Sequence, residues 1–427
     1  MPAGTSRSRL RPTLGLFDAV AIGAGAIIGA GIFVVTGIAA GLAGPALVIS
    51  MIIAAVISFF TALSFVELTS WLPTEGGAYE FASRLFSPFA GFLAGWIWVV
   101  SYIFVGSALS LAFSYYFTAL FPALDSRLVA AAICITFTLI NYAGIRHSAT
   151  FNNALVSAKI LILIVFCVVG LFHLKGSNFT PFIPSGMGVF YGAYFIFFAY
   201  SGFGRVAVLG EEVKDARRNV PRSIVIALTV STAIYLLVGV VAVGLIGAEN
   251  LGRSKSPLTE AIAVVGNPSL TSIVSLGGLL ATASVLLTSI LGVSRMTFAM
   301  ARKGDLPQTL GKLHPRYDTP YYSILISGSI MTLLAVSVDL KGVVAVSNFT
   351  SLFYYALANV SALRLRVDAR LYPKAVPAAG LVTCLALLAF VQPSAFVVGA
   401  ACLVIGATYY MIRTRFGGQH VRAKQSE

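Results

Sequence analysis

The chain has 427 residues, of which 58% are hydrophobic and only 10% charged, and its formal net charge is +14. A soluble domain carries about 25% charged residues, and the interior of a soluble fold of this length cannot enclose so much apolar surface. The basic residues occur in short clusters between apolar runs rather than along one continuous stripe, which argues against nucleic acid as a partner.

The apolar runs are long enough to cross a bilayer, which needs about 20 residues per helix. They predict a single all-α polytopic membrane domain over residues 1–427 with about twelve transmembrane helices. The predicted spans are 14–40, 45–70, 89–120, 127–145, 149–172, 187–211, 221–246, 270–300, 320–338, 342–364, 374–391 and 394–412. The apolar stretch that follows the first basic residues is too long for a cleavable signal peptide, so we expect it to be the first membrane helix.

Lysine and arginine residues are distributed unequally between the predicted loops. With the amino terminus inside the cell, 21 basic residues fall in inner segments and 5 in outer loops. The positive-inside rule therefore predicts an even number of spans and a protein of the cell membrane with cytoplasmic tails at 1–13 and 413–427. The four cysteines lie inside apolar runs without metal-ligand spacing, so we expect packed free thiols.

Glycines interrupt two of the predicted spans. The first span contains Gly23, Gly25, Gly29 and Gly31, and the sixth contains the segment Phe198–Gly204. Each glycine weakens a helix by about 1 kcal/mol relative to alanine. Interrupted segments at corresponding places in two halves of a membrane protein predict a transporter binding site between them.

An amino acid suits such breaks, because lipid cannot satisfy the N–H and C=O groups that an unwound helix frees. A carboxylate accepts from N–H groups at the start of the next half-helix, and an ammonium donates to the freed carbonyls. Three alternatives remain for the first break. Small residues four apart also permit close helix packing. The helix could simply be flexible, and a GxGxxxG string resembles a dinucleotide fingerprint, although it follows no strand.

Lys159 is the one titratable residue deep within a predicted span. It lies about ten residues into the fifth span, or about 15 Å from the membrane surface. An ammonium there costs on the order of 3 kcal/mol, which predicts a functional role as a proton carrier. The alternatives are a lysine neutralised by backbone carbonyls and one that reaches the interface. Asp18 and Glu67 lie near inner helix ends, so no glutamate-based proton relay is evident.

The remaining motifs narrow the class of protein. We find no hydrolase, kinase or metal-binding pattern and no Walker loop, so we expect neither an enzyme nor ATP-driven transport, and no cofactor or metal. The leading hypothesis is a secondary active transporter. An obligatory exchanger or a uniporter is the second hypothesis, and a membrane-embedded sensor or channel on the same fold is the third.

Four segments resemble the amino acid–polyamine–organocation transporters. They are Gly25–Phe33, Pro73–Tyr79, Phe197–Phe203 and Gly210–Arg222. The resemblance implies two inverted five-helix repeats, at about 14–172 and 187–364, in which helices 1 and 6 are discontinuous. Two extra helices follow at about 374–412. The Lys159 position further resembles the proton-coupled branch of these transporters.

The resemblance also implies which residues bind the substrate. The expected residues are Ile27, Gly29, Ala30, Gly31, Phe198, Ala199, Ser201, Val99 and Ile103. The N–H groups of Ala30 and Gly31 would bind the carboxylate. The carbonyls of Ile27, Phe198, Ala199 and Ser201 would accept from the ammonium, and the Phe198 ring would close over the substrate.

Two further expectations concern coupling and specificity. The resemblance places the Lys159 ammonium near the Gly25 carbonyl and a hydroxyl of the eighth helix, for which Ser289 is our candidate. The third-helix positions Val99 and Ile103, with Gly106, are apolar, which favours neutral amino acids. Many relatives have a polar residue near Gly204, where this chain has glycine. The expected partners are therefore an amino acid, protons and the lipid bilayer, whereas the oligomeric state is open.

Overall fold

The computed structural model describes residues 14–72, 77–144, 149–182, 186–204, 213–367 and 370–424. Over these ranges the regular structure is helical, with one isolated β-bridge between Leu14 and Val213. Residues 73–76 and 205–212 of the sequence motifs, and the tail 1–13, lie outside the described residues.

We number the α-helices of the described ranges in chain order. They are α1 (Leu16–Ile27), α2 (Ala30–Ala43), α3 (Leu47–Trp71), α4 (Ala78–Leu85), α5 (Pro88–Leu120), α6 (Ser126–Tyr142), α7 (Ala149–Leu171), α8 (Gly188–Tyr200), α9 (Ala216–Ile246), α10 (Ala248–Arg253), α11 (Pro257–Ala263), α12 (Pro268–Arg302), α13 (Tyr321–Ser337), α14 (Leu340–Arg364), α15 (Ala375–Leu388) and α16 (Pro393–Lys424). Short 3₁₀ turns occupy Gly44–Ala46, Gly176–Phe179, Ser201–Phe203 and Gln308–Gly311.

Many of these helices have the length and composition of membrane spans. In the described part of the chain, seven helical stretches are long and apolar enough to cross a bilayer, and four further apolar helices are shorter. The α-helical part of the first stretch, Leu16–Trp71, is interrupted at Gly44, whose φ of 65° lies in the region that favours glycine. The chain is therefore a multi-pass helical membrane protein, while the count of twelve spans and the inverted repeat stay predictions.

The helices follow the predicted spans with a few differences. The last two predicted spans correspond to two separate helices, because α15 ends at Leu388 and α16 begins at Pro393. However, α16 continues to Lys424, beyond the predicted limit at residue 412. The segments predicted as loops contain the short helices α4, α10 and α11, which are too short to show a clear apolar period.

The two interrupted segments lie at the centre of the helix packing. Helix α2 packs along α8, and α1 packs along α9. The long helix α5 packs against both α12 and α14 and forms the opposite wall. Small residues allow this close packing, as where Gly278 of α12 lies directly beside the ring of Tyr116 on α5.

Candidate functional site

The first break separates α1 from α2. Helix α1 ends at Ile27, α2 begins at Ala30, and Gly29 between them is extended, with φ −97° and ψ −151°. Gly29 has no side chain to cap the new helix, so the first N–H groups of α2 are left for other acceptors. The positive end of the α2 dipole is therefore directed at this break.

The second break lies at the end of α8. The α-helix stops at Tyr200 and continues as the 3₁₀ turn Ser201–Phe203. A 3₁₀ turn changes the hydrogen-bond spacing from i−4 to i−3, which alters which carbonyls are free at the helix end. The glycines of the sequence motif lie in and just after this turn, as predicted.

The two breaks cross in direct contact, and glycine makes the contact possible. A methyl group added at Gly31 would overlap the backbone of Ala199, and one added at Gly202 would overlap the Ala26 carbonyl. Glycine is the residue that allows backbone to approach backbone this closely. The sequence motifs therefore bring two unwound segments together, which neither motif could indicate alone.

A small cavity of about 30 Å³ lies at this crossing. It is lined by Ala26, Ile27, Gly29, Ala30, Gly31, Tyr102, Val105, Leu109, Phe198, Ala199, Ser201, Gly202 and Val285. Its volume holds one or two water molecules, so in this structure the cavity is smaller than an amino acid. All the break residues that we expected to bind substrate line this cavity.

The residues of α5 that line the cavity are not the ones that we expected from the sequence. Val99 and Ile103 are outside the set of described residues that line the cavity, whereas Tyr102, Val105 and Leu109 line it. These three positions are spaced by three and four residues, so they share one face of α5. The wall remains largely apolar, with Val285 of α12 completing it.

Tyr235 of α9 connects the two breaks. Its fully buried hydroxyl donates to the Ile27 carbonyl at 2.6 Å and lies 3.1 Å from the Ala199 carbonyl oxygen. The Ile27 carbonyl also accepts from the Gly29 N–H at 2.7 Å. The sequence analysis missed Tyr235, since a single tyrosine in an apolar span usually indicates ordinary packing, and only the position of its hydroxyl reveals the contact.

Hydroxyl groups also hold the remaining two carbonyls of the predicted ammonium site. Ser201 Oγ donates to the Phe198 carbonyl at 2.9 Å, and Tyr355 Oη donates to the Ser201 carbonyl at 2.5 Å. A carbonyl oxygen has two lone pairs, so one such hydrogen bond leaves room for a second donor. The hydroxyls therefore fix the direction in which these carbonyls point.

Lys159 lies within the bundle, on α7, and its residue surface is 2% exposed. Its Nζ donates to Ser284 Oγ of α12 at 3.2 Å. Ser284 is on the same helix as Ser289, our expected hydroxyl, which donates to the Val285 carbonyl at 2.7 Å. One turn before Lys159, Val156 packs so closely against Gly25 that a methyl group there would overlap it. Helix α7 thus places the lysine beside both α1 and α12.

Comparison with known proteins agrees with this architecture. The amino acid permease family matches the chain over residues 14–412. An uncharacterised transporter of Mycobacterium tuberculosis is 38% identical over 410 residues, covering 95% of this chain and 92% of the relative. The branched-chain amino acid permease BcaP of Bacillus subtilis is 32% identical, covering 97% of this chain and 95% of the relative. The methylthioribose transporter of Bacillus subtilis is 32% identical, covering 86% of this chain and 84% of the relative.

The family match and the transporters among the relatives define the class as a membrane transport protein rather than an enzyme. Within that class the chain belongs to the amino acid permease family, which is part of the amino acid–polyamine–organocation superfamily. This confirms the family resemblance inferred from the sequence motifs.

Proposed function

We propose that this protein is a secondary active transporter that binds an amino acid between its two helix breaks and carries it across the membrane by alternating access. One observation carries the proposal: the cavity at the crossing is lined by residues of both breaks. A transported zwitterion needs donors and acceptors on opposite sides, and a pair of broken helices supplies both.

The proposed binding mode follows from the helix ends. The first-turn N–H groups of α2, including those of Ala30 and Gly31, bind the carboxylate, with support from the helix dipole. The carbonyls of Phe198, Ala199 and Ser201 accept from the ammonium through their second lone pairs, and Ile27 joins them once its Gly29 contact opens. The Phe198 ring closes over the bound substrate.

The substrate side chain meets an apolar wall. Val105, Leu109 and Val285 line the cavity, with the ring of Tyr102 beside them. A charged side chain placed against such a wall loses hydration without a partner, whereas an aliphatic one gains from burial. We therefore propose a neutral, aliphatic substrate, and the branched-chain specificity named for BcaP is consistent with this proposal.

We propose twelve spans, two inverted five-helix repeats and cytoplasmic termini in the cell membrane. The interruption at Gly44 supports a division of the first long apolar stretch into two spans, and four shorter apolar helices add to the remaining long ones. The unequal distribution of basic residues supports the proposed orientation. The repeat is supported by the corresponding breaks after α1 and α8.

For the energy source we propose proton symport through Lys159. The buried amine bonds to Ser284, whose neighbour Val285 lines the substrate cavity. A proton on Lys159 therefore changes the charge between α1, α7 and α12, next to the substrate wall. Exchange of internal for external amino acid, or uniport, is the alternative outcome.

The test is uptake of labelled amino acids into proteoliposomes under an imposed pH gradient. The panel includes leucine, alanine, lysine, glutamate and methylthioribose, which has neither a carboxylate nor an ammonium group. We expect accumulation of neutral aliphatic amino acids. Preference for methylthioribose would contradict the proposed zwitterion site, and preference for lysine would contradict the neutral side-chain pocket.

Replacing Lys159 with methionine tests the proton proposal, since methionine keeps a long unbranched side chain without the amine. We expect loss of pH-driven accumulation, while exchange of internal for external substrate continues. Undiminished accumulation in Lys159→Met would refute the role of the lysine. Wild-type uptake that follows internal amino acid and ignores the pH gradient would identify an exchanger.

A further inference from the structure

Asp305, in the loop after α12, joins the ends of three separate elements. One carboxylate oxygen accepts from Tyr79 Oη on α4 at 2.7 Å, and the other accepts from Arg413 Nη1 on α16, also at 2.7 Å. The Asp305 side chain is mostly buried. Burial and the hydrogen bond to Asp305 raise the pKa of Tyr79 above its ordinary value.

A second ion pair strengthens the same junction. Lys303, two residues before Asp305, pairs with Glu80 of α4 and lies 4.7 Å from the centre of the Tyr79 ring. Helix α4 has eight residues and follows α3 after a short segment outside the described residues. We call the surface formed by α4, Asp305 and Arg413 the α4 face.

From α4, a continuous series of contacts reaches the second break. The Ala78 N–H, at the start of α4, donates to Tyr354 Oη at 3.2 Å. The Tyr354 and Tyr355 rings are 5.4 Å apart, and Phe203 stacks on Tyr355 at 4.9 Å. Tyr355 in turn donates to the Ser201 carbonyl, which belongs to the cavity lining.

We propose that Asp305 is a positioning residue of the transport cycle: it holds α4 beneath the aromatic residues of the second break and so keeps the cavity closed toward the α4 face. Charge-assisted hydrogen bonds at a largely buried carboxylate are stronger than neutral ones. In the proposed transport cycle this face opens at one stage, and we expect α4 to move away from Tyr354 at that stage. This inference rests on the proposed transport function.

Reagent access to a cysteine at the second break measures the closure directly. Ser201→Cys introduces the reporter cysteine. The rate of its labelling by a membrane-impermeant maleimide is compared between the chain that keeps Asp305 and the chain that also carries Asp305→Asn. Labelling is measured from each side, in right-side-out and inverted vesicles, against the parent chain without the reporter. We expect about fivefold faster labelling from the α4 face in Asp305→Asn, the lower end of typical coupling between sites.

Two variants separate positioning from general damage. Asp305→Glu keeps a carboxylate and should restore slow labelling. Glu249→Gln breaks the exposed Glu249–Arg253 pair of α10 and should leave labelling unchanged. If Asp305→Asn does not fold, Tyr79→Phe carries the test, because it removes one hydroxyl from the junction and should also accelerate labelling.

Unchanged labelling in Asp305→Asn, or acceleration only from the opposite side, would overturn the proposal. Acceleration in Asp305→Glu equal to that in Asp305→Asn would overturn it as well. The measurement needs neither substrate nor gradient. A wild-type chain that transports no amino acid would therefore refute the proposed function without deciding the role of Asp305.

Discussion

A single hydroxyl, that of Tyr235, contacts the backbone of both breaks, so its removal tests how far their geometry determines binding. Tyr235→Phe leaves two buried carbonyls without this donor, at a cost of about 1–3 kcal/mol. We expect the affinity for the amino acid to fall roughly 5- to 150-fold. Substrate-dependent thermal stabilisation of the purified protein measures the affinity, and the concentration dependence of uptake provides an independent value.

Tyr191→Phe is the matched control for that variant. Tyr191 is a partly exposed tyrosine of α8 that packs against the ring of Phe390, remote from the cavity lining. The Tyr191→Phe variant should bind substrate with the affinity of the wild type. Equal affinities for Tyr235→Phe and the wild type would show that the hydroxyl bridge does not position the carbonyls.

Gly202 tests the close approach of the two breaks. In Gly202→Ala the new methyl group overlaps the Ala26 carbonyl, and forced overpacking costs about 1–3 kcal/mol. We expect a lower unfolding temperature and a loss of substrate binding. In Gly204→Ala, two residues on, the added methyl group would lie 3.6 Å from Tyr355 Oη, an ordinary contact. The Gly204→Ala variant should therefore keep near-wild-type stability. Equal losses of unfolding temperature and substrate binding in Gly202→Ala and Gly204→Ala would contradict the close approach of the two breaks.

At the scale of the elements, α5 and α12 form the wall that we propose for the substrate side chain. Val285→Ala removes two carbon atoms from this wall, and a buried methylene contributes about 0.8 kcal/mol. We expect the uptake ratio of leucine over alanine to rise about four- to fifteenfold, because the enlarged space accepts a longer side chain.

Val293→Ala makes the same change two turns along α12, at a buried position outside the cavity lining. Competition between labelled leucine and alanine is measured in both variants. The selectivity of Val293→Ala should match that of the wild type. A shift of equal size in both variants would indicate a general loosening of α12 instead of a side-chain pocket.

The sequence predicted the membrane helices well because each depends on a long apolar run, a property of one segment. The breaks were predictable for a similar reason, since glycines such as Gly29 and Gly202 weaken a helix locally. Helix α4 was missed because an eight-residue amphipathic helix has too few turns for its period to be recognised.

The parts of the site that were missed depend on rotation and on contacts between distant segments. Which face of α5 meets the cavity is a matter of register, so Tyr102 and Val105 could not be distinguished from Val99 and Ile103 by composition. The same limit applies to α12, where the Lys159 amine donates to Ser284, a hydroxyl that the sequence analysis did not name. Tyr235 could not be identified from the sequence for another reason. Its hydroxyl contacts backbone carbonyls, and since every residue has a carbonyl, the sequence does not show which ones a tyrosine will reach.

At the scale of the whole molecule, the proposed proton site and substrate site share two helices. Val156 of α7 packs on Gly25 of α1, and Lys159 one turn further contacts Ser284 of α12. Both α1 and α12 then contribute to the cavity through Ile27 and Val285. A change of charge at Lys159 can thus bias the same helices that close around the substrate, which is the physical requirement for coupling two ligands.

The direction in which this coupling works depends on the orientation of the chain in the membrane. Two loop glycines allow that orientation to be measured. A side chain at Gly176, between α7 and α8, would meet open space, and one at Gly311, after α12, would make only ordinary contacts. The distribution of basic residues and the twelve proposed spans assign Gly176 to the outside and Gly311 to the cytoplasm. We expect Gly176→Cys to react with an impermeant maleimide in intact cells. Gly311→Cys should react only in inverted vesicles, and the reverse pattern, or reaction of both cysteines from one side, would refute the proposed topology.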